Sequence, residues 1–145
     1  MANLMQVNFV DSESQIFTGE AEYLVVSAFD GEIGIFPHHT PLISKLVPGI
    51  LRIKQPNKDE QLVFAISGGF IEVCDNRVIV LADIVERTEE LDEKRLIEQK
   101  QDALQKLKRA DSISTAEVAK AQAALEIAVA QLKAFDFLGK KIKHR

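Results

Sequence analysis

The pair His38-His39 is the feature of this sequence that comes nearest to a metal site or a general base. Imidazole binds transition metals and exchanges protons near neutral pH, so two histidines could serve either chemistry. Adjacent side chains on an extended segment point in opposite directions, however, and the two rings cannot easily share one ion. We interpret the pair as part of a loop that binds no metal.

Other signatures of catalysis are missing from the sequence. It contains no Walker-type phosphate loop, no Gly-x-Ser-x-Gly nucleophile elbow, no His-Glu-x-x-His zinc motif and no pair of cysteines. The lone Cys74 is interpreted as a small strand residue. The residues therefore predict a chain that performs no catalysis by itself, and a binding or assembly module is favoured.

The elements that must position these residues change in kind near residue 86. As far as residue 83, short runs rich in Val, Ile and Phe alternate with turn pairs such as Asp30-Gly31, Gly68-Gly69 and Asp75-Asn76. This spacing is typical of antiparallel strands in a β-sandwich or barrel. We expect strands over residues 5–10, 23–28, 33–36, 50–54, 61–67, 70–74 and 77–81.

The second part of the chain has a helical pattern. Residues 88–138 contain neither proline nor glycine, and apolar residues recur there with a period of about 3.6. A break at residues 111–114 divides the pattern, and Ser114 with Glu117 has the form of a capping box. Gly139 is a natural helix stop. We predict an all-β N-terminal domain over residues 1–86 and, over residues 87–145, an α-helical hairpin of two antiparallel helices with a basic C-terminal tail.

Composition and charge exclude several classes of protein. The 145 residues are 46% hydrophobic and 28% charged, as in globular chains, and no apolar run is long enough to span a membrane. The first residues lack the basic and apolar segments of a signal peptide, so we expect a chain that is not exported. Residues 1–86 hold 5 Lys and Arg against 12 Asp and Glu, which argues against nucleic-acid binding.

Residues 30–42, DGEIGIFPHHTPL, closely resemble the signature G-E-[LI]-G-[IV]-[YFL]-P-x-H-x-P-L of the epsilon subunit of bacterial F-type ATP synthases. Other segments resemble further motifs of that family, in family order: PGILRI at 48–53, SGGFIEV at 67–73, VIVLAD at 78–83 and LD at 91–92. The chain is identified as a member of this family over nearly its whole length.

The resemblance implies a β-sandwich of about ten strands followed by two antiparallel helices. It also implies a central-stalk subunit, not itself catalytic, that connects the gamma shaft to the membrane c ring and helps to couple proton transport to ATP synthesis. We expect a monomer when the chain is isolated. In the cell we expect a peripheral position on the cytoplasmic face of the bacterial inner membrane, held there only through the complex.

The resemblance further suggests which residues meet the partners. Glu32 and His39 fall in a loop that would face the c ring, with Glu32 opposite basic residues of the ring. The gamma subunit would cover outward side chains of the strands near residues 67–73 and 78–83. The hairpin would reach the alpha and beta subunits and inhibit ATP hydrolysis when extended, helped by a basic tail, here defined as Lys140, Lys141, Lys143 and Arg145.

Two alternatives remain open. ATP-binding members of the family resemble [IL]-D-x-x-R-A at the first helix, and Leu91, Asp92 and Arg95 match that pattern. Leu96 replaces its small last residue and could crowd an adenine, so we expect no cofactor beyond weak ATP binding. The other alternative is a free-standing β-sandwich adaptor with no membrane partner.

Overall fold

The computed structural model describes residues 3–87 and 92–143, which form nine strands and two α-helices. The helices are α1, Glu93–Lys108, and α2, Thr115–Lys143, with a 3₁₀ turn between them. The predicted fold class, a β-sandwich followed by a helical hairpin, is confirmed. The strands are β1 Met5–Val10, β2 Gln15–Ala21, β3 Tyr23–Ala28, β4 Gly31–Ile35, β5 Leu42–Lys54, β6 Gln61–Ile66, β7 Gly69–Cys74, β8 Arg77–Ala82 and β9 Val85–Arg87.

The long strand β5 belongs to both layers of the sandwich. The strand order is β2-β1-β8-β7-β5-β3-β4, and β6 pairs with both β5 and β9. The first half of β5 pairs with β7, ending at Leu46 opposite Gly69. Its second half pairs with β6, beginning at Gly49 opposite Ile66. All these pairs are antiparallel except β1 with β8, which is parallel.

Strict alternation fills the core from both layers. Every second residue of β1, β7 and β8 is buried, so that the side chains between them face outward. At the centre, the rings of Phe9 and Phe64 meet edge to face with their centroids 5.1 Å apart. The sandwich therefore presents one set of side chains to its core and a different set to whatever binds outside.

Three strand segments were not predicted from the sequence. β2 is an edge strand whose residues are mostly polar or half-exposed, so it lacks an apolar run. The first half of β5 is separated from the second by Pro48, a residue that usually ends strands. Here the proline lies where β5 changes partner from β7 to β6. The third segment, β9, is only three residues long.

The caps of the two helices follow the sequence, but the end of α2 does not. The Ser114 hydroxyl accepts a hydrogen bond from the Glu117 amide at 3.2 Å, which confirms the predicted cap. α2 continues through Gly139 to Lys143, so the predicted stop is wrong. A glycine inside a helix costs only about 1 kcal/mol, and no proline follows it to force an end.

The hairpin is folded against the sandwich. The two helices contact each other through small and apolar residues, and Ala121 and Ala128 of α2 are both buried. Further along α2, Ala134 is fully buried against β5 and β6, with Phe137 beside it. We call this contact the docking patch: Ile50, Val63 and Ala65 of the sandwich with Ala134 and Phe137 of α2. Neither of the two described helices is both long and apolar enough to cross a membrane.

Candidate interaction surfaces

An exposed apolar surface lies on the side of β5, β7 and β8 that faces away from the core. It consists of Ile43, Phe70, Ile79 and Leu81, which we call the outer patch, and Phe70 is 54% exposed. The strand register places Phe70 directly opposite Leu81, and Glu72 between Ile43 and Ile79. Large exposed apolar side chains concentrated on one face are typical of protein-binding surfaces.

The outer patch includes outward side chains from both strand segments that were expected to meet the gamma subunit. The sequence could not say which side chains of residues 67–73 and 78–83 face outward. The structure assigns Phe70, Ile79 and Leu81 to the outside, whereas Ile71 and Val80 are fully buried. Ile43, on the unpredicted half of β5, extends the same surface.

Glu32 lies in strand β4 and not in a loop as predicted. Gly31 has a φ of 124°, which lets the chain complete its turn at once, and the strand therefore begins immediately before Glu32. The Glu32 carboxylate is about half-exposed, and its Oε1 accepts a hydrogen bond from Arg52 Nη2 at 2.8 Å. This acidic side chain therefore already has a basic partner within the chain.

Arg52 connects Glu32 with the docking patch. Its guanidinium carbon lies 4.7 Å from the centre of the Phe137 ring, within the range of a cation–π contact. Only 18% of its side chain is exposed, and its Nε atom is buried with no hydrogen-bond partner among the described residues. One arginine thus touches both a strand of the sandwich and the second helix.

The loop that holds His38 and His39 is fixed to the β7–β8 turn. The His38 amide donates to Asn76 Oδ1 at 2.9 Å, and the Asn76 side-chain amide donates to the Leu4 carbonyl. His39 Nδ1 lies 2.6 Å from the Thr40 carbonyl oxygen. His39 therefore helps to shape its loop, while Glu32 lies on β4 in contact with Arg52. No cluster of three or more metal-binding side chains occurs in the part of the chain that the structure describes.

The β7–β8 turn itself was predicted correctly. Asp75 and Asn76 both have positive φ, 51° and 61°, as a two-residue hairpin requires. Cys74 is the last residue of β7, as its interpretation as a strand residue requires. The charge of Asp75 is the main cause that raises the pKa of the Cys74 thiol, so the thiol is protonated at neutral pH.

A cleft of about 800 Å³ opens between the end of the sandwich and the two helices. Its charged walls are mixed in sign: Glu86, Asp102, Lys106, Arg109, Glu117 and Lys120. At its floor, Gln131 donates a hydrogen bond to Glu86 at 2.5 Å. The cleft is larger than the pocket of about 470 Å³ at the β7–β8 turn.

Asp92 and Arg95, the described residues that match the ATP motif, do not line this cleft. Asp92 caps α1, accepting a hydrogen bond from the Lys94 amide at 3.1 Å, and Arg95 is exposed on the helix. Leu96 is buried within the hairpin. Leu91 lies outside the described residues, as do Arg145 and the side chains of the other three basic-tail residues, Lys140, Lys141 and Lys143.

Comparison with known proteins gives the same family as the sequence motifs. Residues 4–88 match the β-sandwich domain of ATP synthase delta and epsilon chains. The chain is 47% identical over 138 residues to the ATP synthase epsilon chain of Chromobacterium violaceum, covering 94% of this chain and 96% of the relative. It is 41% identical over 138 residues to the ATP synthase epsilon chain of Laribacter hongkongensis, covering 95% of this chain and 97% of that relative.

A solved structure shares the fold at low identity. A chain of the Euglena gracilis mitochondrial ATP synthase, from its OSCP/F1/c-ring assembly, superposes with a TM-score of 0.78 at 23% identity. The match covers 87% of this chain and 78% of that one. With the sandwich, the hairpin and the near-complete alignment all in agreement, the chain belongs to the ATP synthase epsilon chain family.

Proposed function

We propose that this chain is a central-stalk subunit of an F-type ATP synthase, connecting the gamma shaft to the membrane c ring without catalysing a reaction itself. The observation that carries the proposal is the outer patch. In this chain, which belongs to the epsilon family, the docked hairpin covers one face of β5 and β6, while Phe70 and its neighbours in the outer patch stay exposed on another part of the sandwich. An uncovered apolar surface on a rigid sandwich suits a permanent partner.

The gamma subunit is the proposed occupant of the outer patch. Glu72 and Lys45 lie among its apolar side chains, opposite Ile79 and Phe70 in the sheet, and could fix the orientation of the bound partner. We expect the sandwich to transmit torque through this face, since a face built from three paired strands deforms little.

The proposed contact with the c ring lies at the β3–β4 side of the sandwich, where Glu32 is half-exposed. An exposed carboxylate is suited to the basic loops expected there, and at a rim such a pair would contribute about 0.2–1 kcal/mol. Through the ring the chain would be held at the cytoplasmic face of the bacterial inner membrane and would help to couple proton transport to ATP synthesis.

The hairpin is proposed to inhibit ATP hydrolysis when it leaves the sandwich and extends towards the alpha and beta subunits. The docking patch is small, and the single fully buried α2 side chain in it is an alanine. A contact of this size can be replaced by partner surfaces, so the two positions need differ by only a few kcal/mol.

The test of this function is purification from membranes through a tag on this chain. The proposal predicts that gamma, the c subunit and ATP hydrolase activity are recovered together with it. If the chain instead remains in the soluble fraction without them, the free-standing adaptor is the correct function. A matched preparation with a charge at Phe70, F70E, should lose gamma and the activity together.

ATP sensing is the second candidate, supported by the cleft between the helices and its three basic side chains. Calorimetric titration of the full chain with ATP tests it directly, with K120A as the cleft variant and R95A as the motif variant. Binding below millimolar that K120A abolishes would establish ATP as a ligand of the cleft. No heat at millimolar ATP would exclude it.

A further inference from the structure

We propose that Arg52 couples Glu32 to the docking of the hairpin, so that a cationic group of a partner bound at Glu32 favours release of α2 from the sandwich. The linkage within the chain depends on the contacts of Arg52 alone. Only the identity of the partner, a basic loop of the c ring, depends on the function proposed above.

Three segments that are far apart in sequence meet at Arg52. Glu32 comes from β4, Arg52 from near the C-terminal end of β5, and Phe137 from the C-terminal part of α2. The guanidinium donates to Glu32 Oε1 at 2.8 Å and lies 4.7 Å from the centre of the Phe137 ring. The two contacts occupy the same charged group, and a change in one must alter the other.

The docked helix removes water from the guanidinium. With α2 in place, the Arg52 side chain is 18% exposed and its Nε has no hydrogen-bond partner among the described residues. A buried charge needs an opposite charge or a full set of hydrogen bonds. In the docked state Glu32 supplies the opposite charge, and the Phe137 ring supplies a cation–π contact. When α2 leaves, water can take over much of this compensation.

The Glu32 carboxylate therefore contributes more to the docked state than to the undocked one. Any group that draws Glu32 away from Arg52 leaves the guanidinium beneath the Phe137 ring without its counter-charge. Undocking of α2 then lowers the free energy of that charge, because water can reach it. Coupling of this kind is reciprocal: a docked helix also holds Glu32 to Arg52 and weakens its binding to an outside cation. Arg52 thus positions Glu32, and its environment changes when an outside cation binds Glu32.

A second ion pair on the same strand provides a matched control. Lys54 of β5 lies 3.7 Å from Glu22, and its described hydrogen bonds go to the carbonyls of Gln55 and Lys58. The two basic side chains have similar exposure, 18% for Arg52 and 19% for Lys54. E22Q and E32Q therefore each remove one carboxylate from a cation of β5, but only E32Q changes the group that touches Phe137.

The experiment measures the docked fraction of the isolated full chain. In a C74S background, spin labels at the exposed positions Asp59 and Ala123, introduced as D59C and A123C, report the distance between sandwich and hairpin. Distances are recorded in urea at the concentration that leaves the parent half undocked. We expect E32Q to lower the ratio of docked to undocked chain by about 5-fold, and E22Q to change it by less than about 2-fold.

The F137L variant makes the test specific, because leucine keeps an apolar contact and removes the ring. In the F137L background, the effect of E32Q should shrink to less than about 2-fold. An equal effect of E32Q with and without the ring, or an equal effect of E22Q and E32Q, would overturn the proposed coupling. Since no other subunit is present, these results do not depend on whether the chain binds gamma or the c ring.

Discussion

Truncation of Phe70 tests the outer patch most sharply. The side chain is 54% exposed in the isolated chain, and a phenylalanine can bury about 150–250 Å² in a complex. Roughly 80–130 Å² of apolar surface is therefore available for a partner to cover, which at about 25 cal/mol per Å² corresponds to about 2–3 kcal/mol. Because alanine retains part of that contact, F70A should weaken gamma binding by about 1.5–2.5 kcal/mol, or roughly 10- to 70-fold in Kd.

The stability of the chain itself should change little. Phe70 faces away from the core, and its apolar cross-strand neighbour within the sheet is Leu81. Such a pair contributes about 0.2–1 kcal/mol, so the free energy of unfolding of F70A should fall by no more than about 1 kcal/mol. The loss of binding should therefore exceed the loss of stability.

The assay is titration of purified gamma with the full chain, followed by calorimetry, together with urea unfolding of each variant alone. F29A is the matched control, because Phe29 is 73% exposed but lies outside the outer patch. F29A should bind gamma within about 2-fold of the parent. If F70A binds as tightly as the parent, or if both variants lose affinity equally, the outer patch is not the gamma-binding surface.

Four further predictions follow from the fold and the proposed regulation. A fragment of residues 1–88, which keeps β9, should unfold cooperatively in urea and still bind gamma, and a molten fragment would contradict the two-domain organisation. Deletion from Ala134 onward should raise ATP hydrolysis by the assembled enzyme, and neutralising the basic tail should reproduce part of that rise. Unchanged hydrolysis in enzyme that retains the truncated chain would refute the proposed inhibitory role of the hairpin. G69A should lose about 3 kcal/mol or more of unfolding free energy, since Gly69 has a φ of 141° and a Cβ there would clash with the Leu81 carbonyl oxygen. A near-parental urea midpoint would refute this steric argument. The backbone amides of Glu13 and Ser14 donate to Asp11 and lower the pKa of its carboxyl. The contribution of Asp11 to stability should therefore be complete above the ordinary pKa of an aspartate and be lost as the pH falls through the lowered pKa. An NMR titration of Asp11 that finds an ordinary midpoint would contradict this.

The sequence could predict features that depend on local pattern. Alternation of apolar residues places strands such as β7 and β8, and a two-residue Asp75-Asn76 turn needs only its neighbours to be recognised. Strand β2 was not predicted because an edge strand with a half-exposed face carries no distinct apolar run. Gly139 was misplaced as a helix stop because a glycine only favours an end and does not impose one.

The contacts made between distant segments could not be predicted in this way. Whether Phe70 or Ile71 faces outward depends on the register with β8, which alternation alone leaves undecided. The meeting of Glu32, Arg52 and Phe137 depends on how the hairpin docks. No spacing within any one segment encodes that contact, so it became visible only in the folded chain.

Add-back to membranes that have been stripped of their epsilon subunit tests the central claim most directly. The measurement is ATP-driven proton pumping, followed by quenching of a pH-sensitive dye, as the purified full chain is titrated in. A central-stalk subunit should restore pumping and saturate at one chain per enzyme, and F70A should need a correspondingly higher concentration for the same effect. Pumping that stays at the stripped level while the chain remains unbound would contradict the assignment of this protein to the stalk.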